Sequence, residues 1–558
     1  MLLWTIVELD QMMIAAQSEE VKVASKPEAD LRLFMFGLVA LIAITALIVF
    51  NLQRDFIYDD TYIGLRYAKN LADGKGLAFS GNEHVEGFSN LLWVVILAGL
   101  RRLTGGDLVS ISKWTGFTFS LLTLWLSGLV LNRIRPVTAF SQIGLLAVSV
   151  PLILTVPSYF LWTISGLENA LYAFLLLVFV YFLFKDRVRS AGFALLAAAL
   201  TRPEAPVFAV AALFCFTDGN PFKIIARRPD SVIGVIDRGL FRKILPFYVI
   251  VGSGLLLITL FRLIYFHDVI PNTVYVKAAG DFMPSLRAGF TYLTSFYQAN
   301  TWFCIAFLCA IPSFVIRSKA RESSTILAIL ILQAIVTLRS GGDWMAHHRF
   351  IASFVPLLAL AVWAALFDLA SVLKGRLAPV ALATASALLF ITSWEARATY
   401  ITPPPYAEAL NRSAVSAGKW LKATSPPGRL VAVGDAGAIP YFSDLRILDL
   451  HGLMDKHIGM GNRNFSTNPH TYVDVDYVFA HDPDWIVVIA TNNYDKTLKS
   501  RPEYGLYAQL MADSRFSKDF VFVKQFDFNA SYHYHIYVSQ RKLPSIVMAL
   551  DLGQTNSR

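Results

Sequence analysis

The stretch LFMFGLVALIAITALIVFNL, Leu33 to Leu52, carries no charge over 20 residues, and the acidic pair Asp59-Asp60 follows close behind it. At about 1.5 Å per residue a helix of that length covers the roughly 30 Å hydrocarbon core of a bilayer, so it reads as a first membrane span. Composition agrees. Of 558 residues 55% are hydrophobic and only 16% charged, where soluble chains carry roughly 25% charged residues, and mean hydropathy is +0.51. A chain this apolar cannot remain disordered in water. The region before the span, residues 1–30, holds Glu8, Asp10, Glu19 and Glu20 and has no basic start or small-residue cleavage site. It is expected to be a cytoplasmic arm and not a signal peptide.

Further apolar runs lie near 111–131, 140–157, 169–184, 190–201, 203–217, 244–266, 300–316, 323–338, 350–367 and 377–394, which with the first makes eleven candidate spans. Leu91–Leu100 is too short to cross before Arg101 and Arg102, and reads as an interfacial segment. With that segment flat and the N-terminus inside, one side of the membrane receives sixteen basic residues: Arg133, Arg135, Lys185, Arg187, Arg189, Lys223, Arg227, Arg228, Arg238, Arg242, Lys243, Arg317, Lys319, Arg321, Lys374 and Arg376. The opposite connections downstream of the second span hold Arg202, Lys277, Arg287, Arg339 and Arg349. The positive-inside rule selects this parity, and the +9 formal charge then reflects topology, with no nucleic acid as partner. Cys215, Cys304 and Cys309 sit in apolar runs and read as small buried hydrophobes, with no disulfide or metal spacing.

After Trp394 the texture changes. Pro403, Pro404 and Pro405 mark a linker, no later segment is apolar enough to span, and Leu430–Val433, Trp485–Ala490 and His535–Val538 read as strands. The expected fold is mostly α: a polytopic transmembrane helical domain of about 11 spans over 31–398, with an outer loop of juxtamembrane helices at 53–112 and an extracytoplasmic α/β domain at 399–558.

The outer loop concentrates charges and aromatics beside the membrane. A helix starting at Asp59 or Asp60 places Tyr62, Ile63, Arg66, Tyr67 and Asn70 on adjoining faces, with Asp59 and Arg66 looking the same way. One aspartate can serve as N-cap and the other complement the helix dipole. Two adjacent carboxylates also raise each other's proton affinity, as a general base near neutral pH requires. Downstream, Asp73-Gly74-Lys75-Gly76 reads as a turn. Glu86 either orients a sugar hydroxyl or, on the stronger reading, caps or pairs locally. The outer loops His267–Lys277 and Gly341–Arg349 hold Asn272, Asp343, Trp344 and His348 beside Lys277 and Arg349, two cations that either snorkel or hold a phosphate. His347 and His348 project apart, which argues against a zinc site. Glu168 and Arg202 fall at the predicted outer ends of spans, where a charge is cheaper than at mid-bilayer; a proton-coupled transporter would place charges mid-span. In the tail, Gly434–Ser443 with Asp435 reads as a ligand loop whose spacing fits neither a P-loop nor a dinucleotide site. Asp449, His451, Asp455 and His457 lie close in sequence and read as structural.

The order of Asp59-Asp60, Arg66-Tyr67-Ala68-Lys69-Asn70-Leu71, Glu86-Gly87-Phe88-Ser89-Asn90-Leu91-Leu92-Trp93, Ser165-Gly166-Leu167-Glu168, Thr201-Arg202-Pro203-Glu204, Gly342-Asp343-Trp344-Met345 and Gly434-Asp435-Ala436-Gly437 resembles the landmarks of GT-C membrane glycosyltransferases. Within these it resembles the terminal arabinofuranosyltransferases of mycobacterial and corynebacterial arabinan synthesis. The resemblance implies a bacterial inner-membrane enzyme with a polyprenyl-phosphate-linked sugar as donor and a glycan or glycoprotein acceptor reached from outside. Its catalytic aspartate maps onto Asp59 or Asp60. Arg66, Lys277, Arg349 and His348 are then candidates for the donor phosphate, and Tyr62, Glu86, Asn90, Glu168, Arg202, Asn272, Asp343, Trp344 and Asp435 for sugar and acceptor. No cofactor is fixed; a divalent cation is left open, since hard cations need several oxygen ligands. The alternatives are a transferase of polyprenyl-phosphate mannose or aminoarabinose, or a flippase or transporter for a lipid-linked sugar.

Overall fold

The computed structural model describes residues 57–81, 84–134, 156–219, 225–226, 235–236, 238–277, 282–343, 345, 347–372, 405–461, 473–495 and 499–543. The expected arm at 1–30, the candidate spans at 33–52 and 377–394, nearly all of 140–157, and Trp344 lie outside the described residues.

The predicted outer-loop helix begins at Asp59. It is α1 (Asp59–Ala72), with both acids in its first turn and Lys69 in its last, as the helix dipole favours. Gly74 and Gly76, at φ 79° and 78°, turn the chain back where the Asp73–Gly76 turn was expected. Next come α2 (Leu91–Thr104) and α3 (Leu108–Ile134). At 14 residues α2 reaches only about 21 Å, short of a bilayer, whereas α3 with 27 reaches about 40 Å. A broken pair follows, α4 (Pro157–Ile164) and α5 (Asn169–Phe184), bent by 112° at Ser165–Glu168. Every residue of α5 is buried, the expected place for a helix apolar on all sides.

Beyond it lie α6 (Val188–Ala199), α7 (Ala209–Phe216), α8 (Arg238–Tyr265), α9 (Asn272–Lys277), α10 (Phe282–Ala299), α11 (Thr301–Arg317), α12 (Ala320–Ser340), α13 (Arg349–Ala352) and α14 (Val355–Val372). Helix α8 leaves Leu256, Leu257, Leu263 and Ile264 largely exposed, a surface suited to lipid. Among the described residues three helices, α3, α8 and α12, are long and apolar enough to cross a membrane, or up to five spans if the bent pairs α4–α5 and α10–α11 each count as one. The runs at 190–201 and 203–217 form short helices. Cys215 is buried as expected, but Cys309 is exposed on α11.

The tail folds around a five-stranded mixed sheet. Its strands are β1 (Leu430–Val433), β2 (Arg446–Asp449), β3 (Trp485–Ala490), β4 (Phe520–Asn529) and β5 (Tyr532–Ser539), in the order β2-β1-β3-β5-β4. β1 pairs in parallel with β2 and β3, and β5 runs antiparallel to both β3 and β4. Central β3 is wholly buried, which explains its unbroken apolar run. Short helices α15 (Pro405–Leu410), α16 (Ser416–Thr424) and α17 (Ala438–Ser443) flank the sheet, and α17 lies against α1.

Candidate active site

One stripe of α1 makes this junction. Asp59, Tyr62, Arg66 and Lys69 recur at three- and four-residue steps and therefore share a face. The amides of Gly437 and Ala438 donate to the two carboxylate oxygens of Asp59 at 3.0 and 2.8 Å. Tyr62 packs against Tyr441 and Phe442, both at 5.2 Å. Arg66 donates to the carbonyls of Phe79, Pro440 and Leu445, and Lys69 pairs with Asp444 at 2.8 Å. Tyr58 is the N-cap residue, and neither aspartate caps the helix with its side chain.

Asp59 is 8% exposed. Burial, followed by the charge of Asp435, pushes its carboxyl up to about 8, against the pull of the Ala438 and Gly437 amides; Asp60 raises it further. Asp60 is only half-buried. Asp435 accepts from the hydroxyls of Tyr532 and Tyr534 at 3.0 and 2.6 Å. Three carboxylates thus act on one another beneath a tyrosine cluster. They do not fit a metal: among the described residues no group of three or more His, Cys, Asp or Glu could hold one, and Asp59 and Asp435 are already bound by N–H and O–H donors.

A second buried polar network lies alongside. Asn90 donates to Glu168 at 2.7 Å, Arg202 bridges Glu168 and Glu204 at 3.0 and 2.9 Å, and Arg349 holds Asp343 at 2.6 Å. Both guanidinium groups stand over the Phe350 ring, at 5.0 and 5.6 Å. The bend Ser165–Glu168 carries Glu168 into this network and also touches α1, because Thr61 donates to the Ser165 carbonyl at 3.1 Å. Gly166, at φ 84°, is needed there: a Cβ would stand 2.8 Å from Thr61 and 2.9 Å from Ser112. A further link is aromatic, with Arg349 5.8 Å over Trp162, Trp162 stacked on Tyr58 at 5.0 Å, and Tyr58 against Tyr406 at 4.7 Å.

The sequence-predicted residues therefore divide. Asp59, Asp60 and Asp435 come together, as do Asn90, Glu168, Arg202, Asp343 and Arg349. Others are occupied by the protein itself. Arg66 spends its donors on carbonyls, so it is a clamp and no phosphate ligand. Tyr62 is packed between α1 and α17. Asn272 donates to the carbonyls of Gly452 and Leu453. Glu86 does not cap or pair locally as expected but binds distant Arg262, at 2.8 and 3.1 Å. His348 faces Ser295 at 2.9 Å, and burial lowers its ring to about 4, so near neutral pH it offers no positive charge to a phosphate. Lys277 ends α9, and its side chain lies outside the described residues.

Sequence reasoning missed Arg262, Trp162 and Tyr406, and named Gly437 only within the Gly434–Ser443 loop, without its contact to Asp59. Arg262 was concealed inside the apolar run 244–266, although a lone cation near a span's end signals a partner there. Tyr406 directly follows the proline run.

Residues 402–537 match the family model "Domain of unknown function (DUF8728)". Over 338 residues the chain is 25% identical to the terminal beta-(1->2)-arabinofuranosyltransferase of Corynebacterium glutamicum, covering 55% of this chain and 47% of that protein. The chain thus spans about half the length of that curated relative. Among solved structures it is similar to ArnT from Cupriavidus metallidurans bound to undecaprenyl phosphate, with a TM-score of 0.55, 11% identity, and coverage of 90% of this chain and 98% of that one. For the apo state of the same protein the TM-score is 0.53 at 10% identity, with the same coverage. The resemblance to GT-C membrane glycosyltransferases stands on the arabinofuranosyltransferase relative and on the shared ArnT fold.

Proposed function

We propose that the protein is an inverting glycosyltransferase of the bacterial inner membrane. It moves a sugar from a polyprenyl-phosphate donor to an extracytoplasmic glycan or glycoprotein, and the arabinofuranosyltransferase relative favours arabinofuranose as that sugar. The observation that carries this reading is the acidic pair opening α1, seated by the tail and joined through Thr61–Ser165 and Tyr58–Trp162 to a buried network holding two arginines. The ArnT fold, seen with undecaprenyl phosphate in that protein, supports a lipid-linked donor.

In this mechanism the acceptor hydroxyl attacks the anomeric carbon as the bond from that carbon to the phosphate oxygen breaks, and the electron pair leaves with the phosphate. Asp60 takes the hydroxyl proton, because it is the less buried of the two, while Asp59 is bound on both oxygens by backbone amides and acts as a positioning group. Arg349 meets the leaving phosphate: Asp343 takes its Nε, and its two terminal nitrogens make no hydrogen bond among the described residues. Glu168 and Arg202 hold one another in place for the sugar.

The test is transfer from a labelled polyprenyl-phosphate pentose by membranes carrying each variant. Asp60→Asn should lower the rate roughly 100- to 10,000-fold with donor binding kept. Near-normal transfer by Asp60→Asn would remove the base from this mechanism. Labelled lipid crossing the membrane with no transfer product would identify a transporter instead.

A further inference from the structure

Trp162, fully buried on α4, touches both halves of the proposed machinery. Its ring stacks on Tyr58, with centroids 5.0 Å apart and planes inclined by 20°. Tyr58 is the N-cap residue of α1, so this stack fixes where the helix carrying Asp59 and Asp60 begins. The Arg349 guanidinium stands 5.8 Å over the same indole. Tyr58, Phe117, Trp162, Met345 and Ala352 belong to one small buried cluster, set apart from the main core.

The second tie is polar. The indole Nε1–H donates to the His347 carbonyl at 2.8 Å. That carbonyl belongs to a loop wound through the left-handed region, with Gly341 and Gly342 at φ 78° and 82°, and His347 and His348 at 64° and 53°. Glycine takes such values freely, but a residue with a side chain does so at a cost and stays there only when its surroundings hold it. Ser295 meets His348 at 2.9 Å, Asp343 takes Arg349 at 2.6 Å, and the indole takes His347. Losing the indole's bond frees the backbone two residues before Arg349, and the guanidinium with it.

We propose that Trp162 is a positioning residue that sets the spacing between the acidic pair and Arg349. One arm is its stack on Tyr58; the other is its hydrogen bond to His347. The assignment rests on the transferase reading above, in which Asp60 takes the proton and Arg349 meets the leaving phosphate, and it adds the residue that keeps the two in register. A misplacement of about 1 Å between such groups lowers a rate on the order of 100-fold. An indole that only filled the cluster would change the yield of folded protein and not the affinity or rate of each folded molecule.

The test uses the full-length protein in lipid nanodiscs, with undecaprenyl phosphate as binding probe and labelled polyprenyl-phosphate pentose for transfer, both normalised to folded protein. Trp162→Phe keeps a ring for Tyr58 and loses the donor to His347, so it should bind undecaprenyl phosphate about tenfold more weakly. Tyr58→Leu loses the stack and keeps that donor. It should bind like the wild type and transfer roughly 100-fold more slowly at saturating donor. Trp162→Leu should show both losses, and Trp162→Phe should recover the part of the rate that depends on the stack. Wild-type affinity in Trp162→Phe, or a wild-type rate in Tyr58→Leu, overturns the assignment. Should Trp162→Leu fail to fold, the two single-arm variants decide. Wild-type protein that binds the lipid phosphate without transferring counts against the transferase reading alone, since the loss in Trp162→Phe is read without turnover.

Discussion

Asp59 carries the largest conflict between charge and burial at the site. Its carboxyl is raised in the fold, so the folded state holds a proton that the unfolded chain has released above the ordinary value of 3.8. The resulting stability is complete below that value and is lost as pH climbs through about 8. Melting temperature followed across this window should fall with pH in the wild type and stay flatter in Asp59→Asn; parallel curves would show that Asp59 does not titrate there. Gly437 belongs to the same contact, because a Cβ on it would land on the backbone carbonyl and carboxylate of Asp59. Gly437→Ala should therefore displace the start of α1 and cost about 100-fold in transfer rate, while donor binding at the Arg349 network persists. Undiminished activity in that variant would show that the seat of Asp59 is irrelevant.

Between elements, the outer loop is tied to the helical bundle by Glu86 with Arg262 of α8, both largely shielded. Removing one partner of a buried pair leaves an uncompensated charge, which costs about 3–5 kcal/mol. Arg262→Met should lower the melting temperature sharply, and Glu86→Gln added to it should recover most of the loss. A double variant no better than the single would locate the effect in packing and not in charge. This tie also marks the limit of sequence reading. The start of α1, the turn at Asp73–Gly76 and the strands Leu430–Val433 and Trp485–Ala490 were legible because each is written locally, in dipole-matched acids, glycines or an unbroken apolar run. The partners of Glu86 and Asn272, and the Pro440 and Leu445 carbonyls that Arg66 reaches, were not, because they lie 176 to 379 residues away and no local spacing encodes them. Arg66 shows the cost: a helix-face cation looks like a phosphate ligand until the carbonyls of another domain are seen to take its donors.

For the whole molecule, the side of the membrane that the tail occupies decides the face on which the proposed reaction runs. The expected distribution of basic loops puts it outside. Ser531 is exposed at the β4–β5 turn. With Cys215, Cys304 and Cys309 replaced, Ser531→Cys should react with a membrane-impermeant maleimide on intact spheroplasts, whereas Arg187→Cys should react only after lysis. The reverse pattern would put the reaction on the wrong face for a lipid-linked donor used outside. Of the candidate spans, the long helices α3, α8 and α12 match apolar runs read from the sequence. The bends at Ser165–Glu168 and Asn300 were not foreseen, since hydropathy measures how apolar a run is and not its direction.

The two amides that seat Asp59 come from 378 and 379 residues further along the chain. During synthesis, the opening helix must therefore wait through the making of nearly every other element before its acid is locked, so the centre is armed last. A truncated or stalled product would enter the bilayer with its lipid-facing helices made and its reactive doublet still unset.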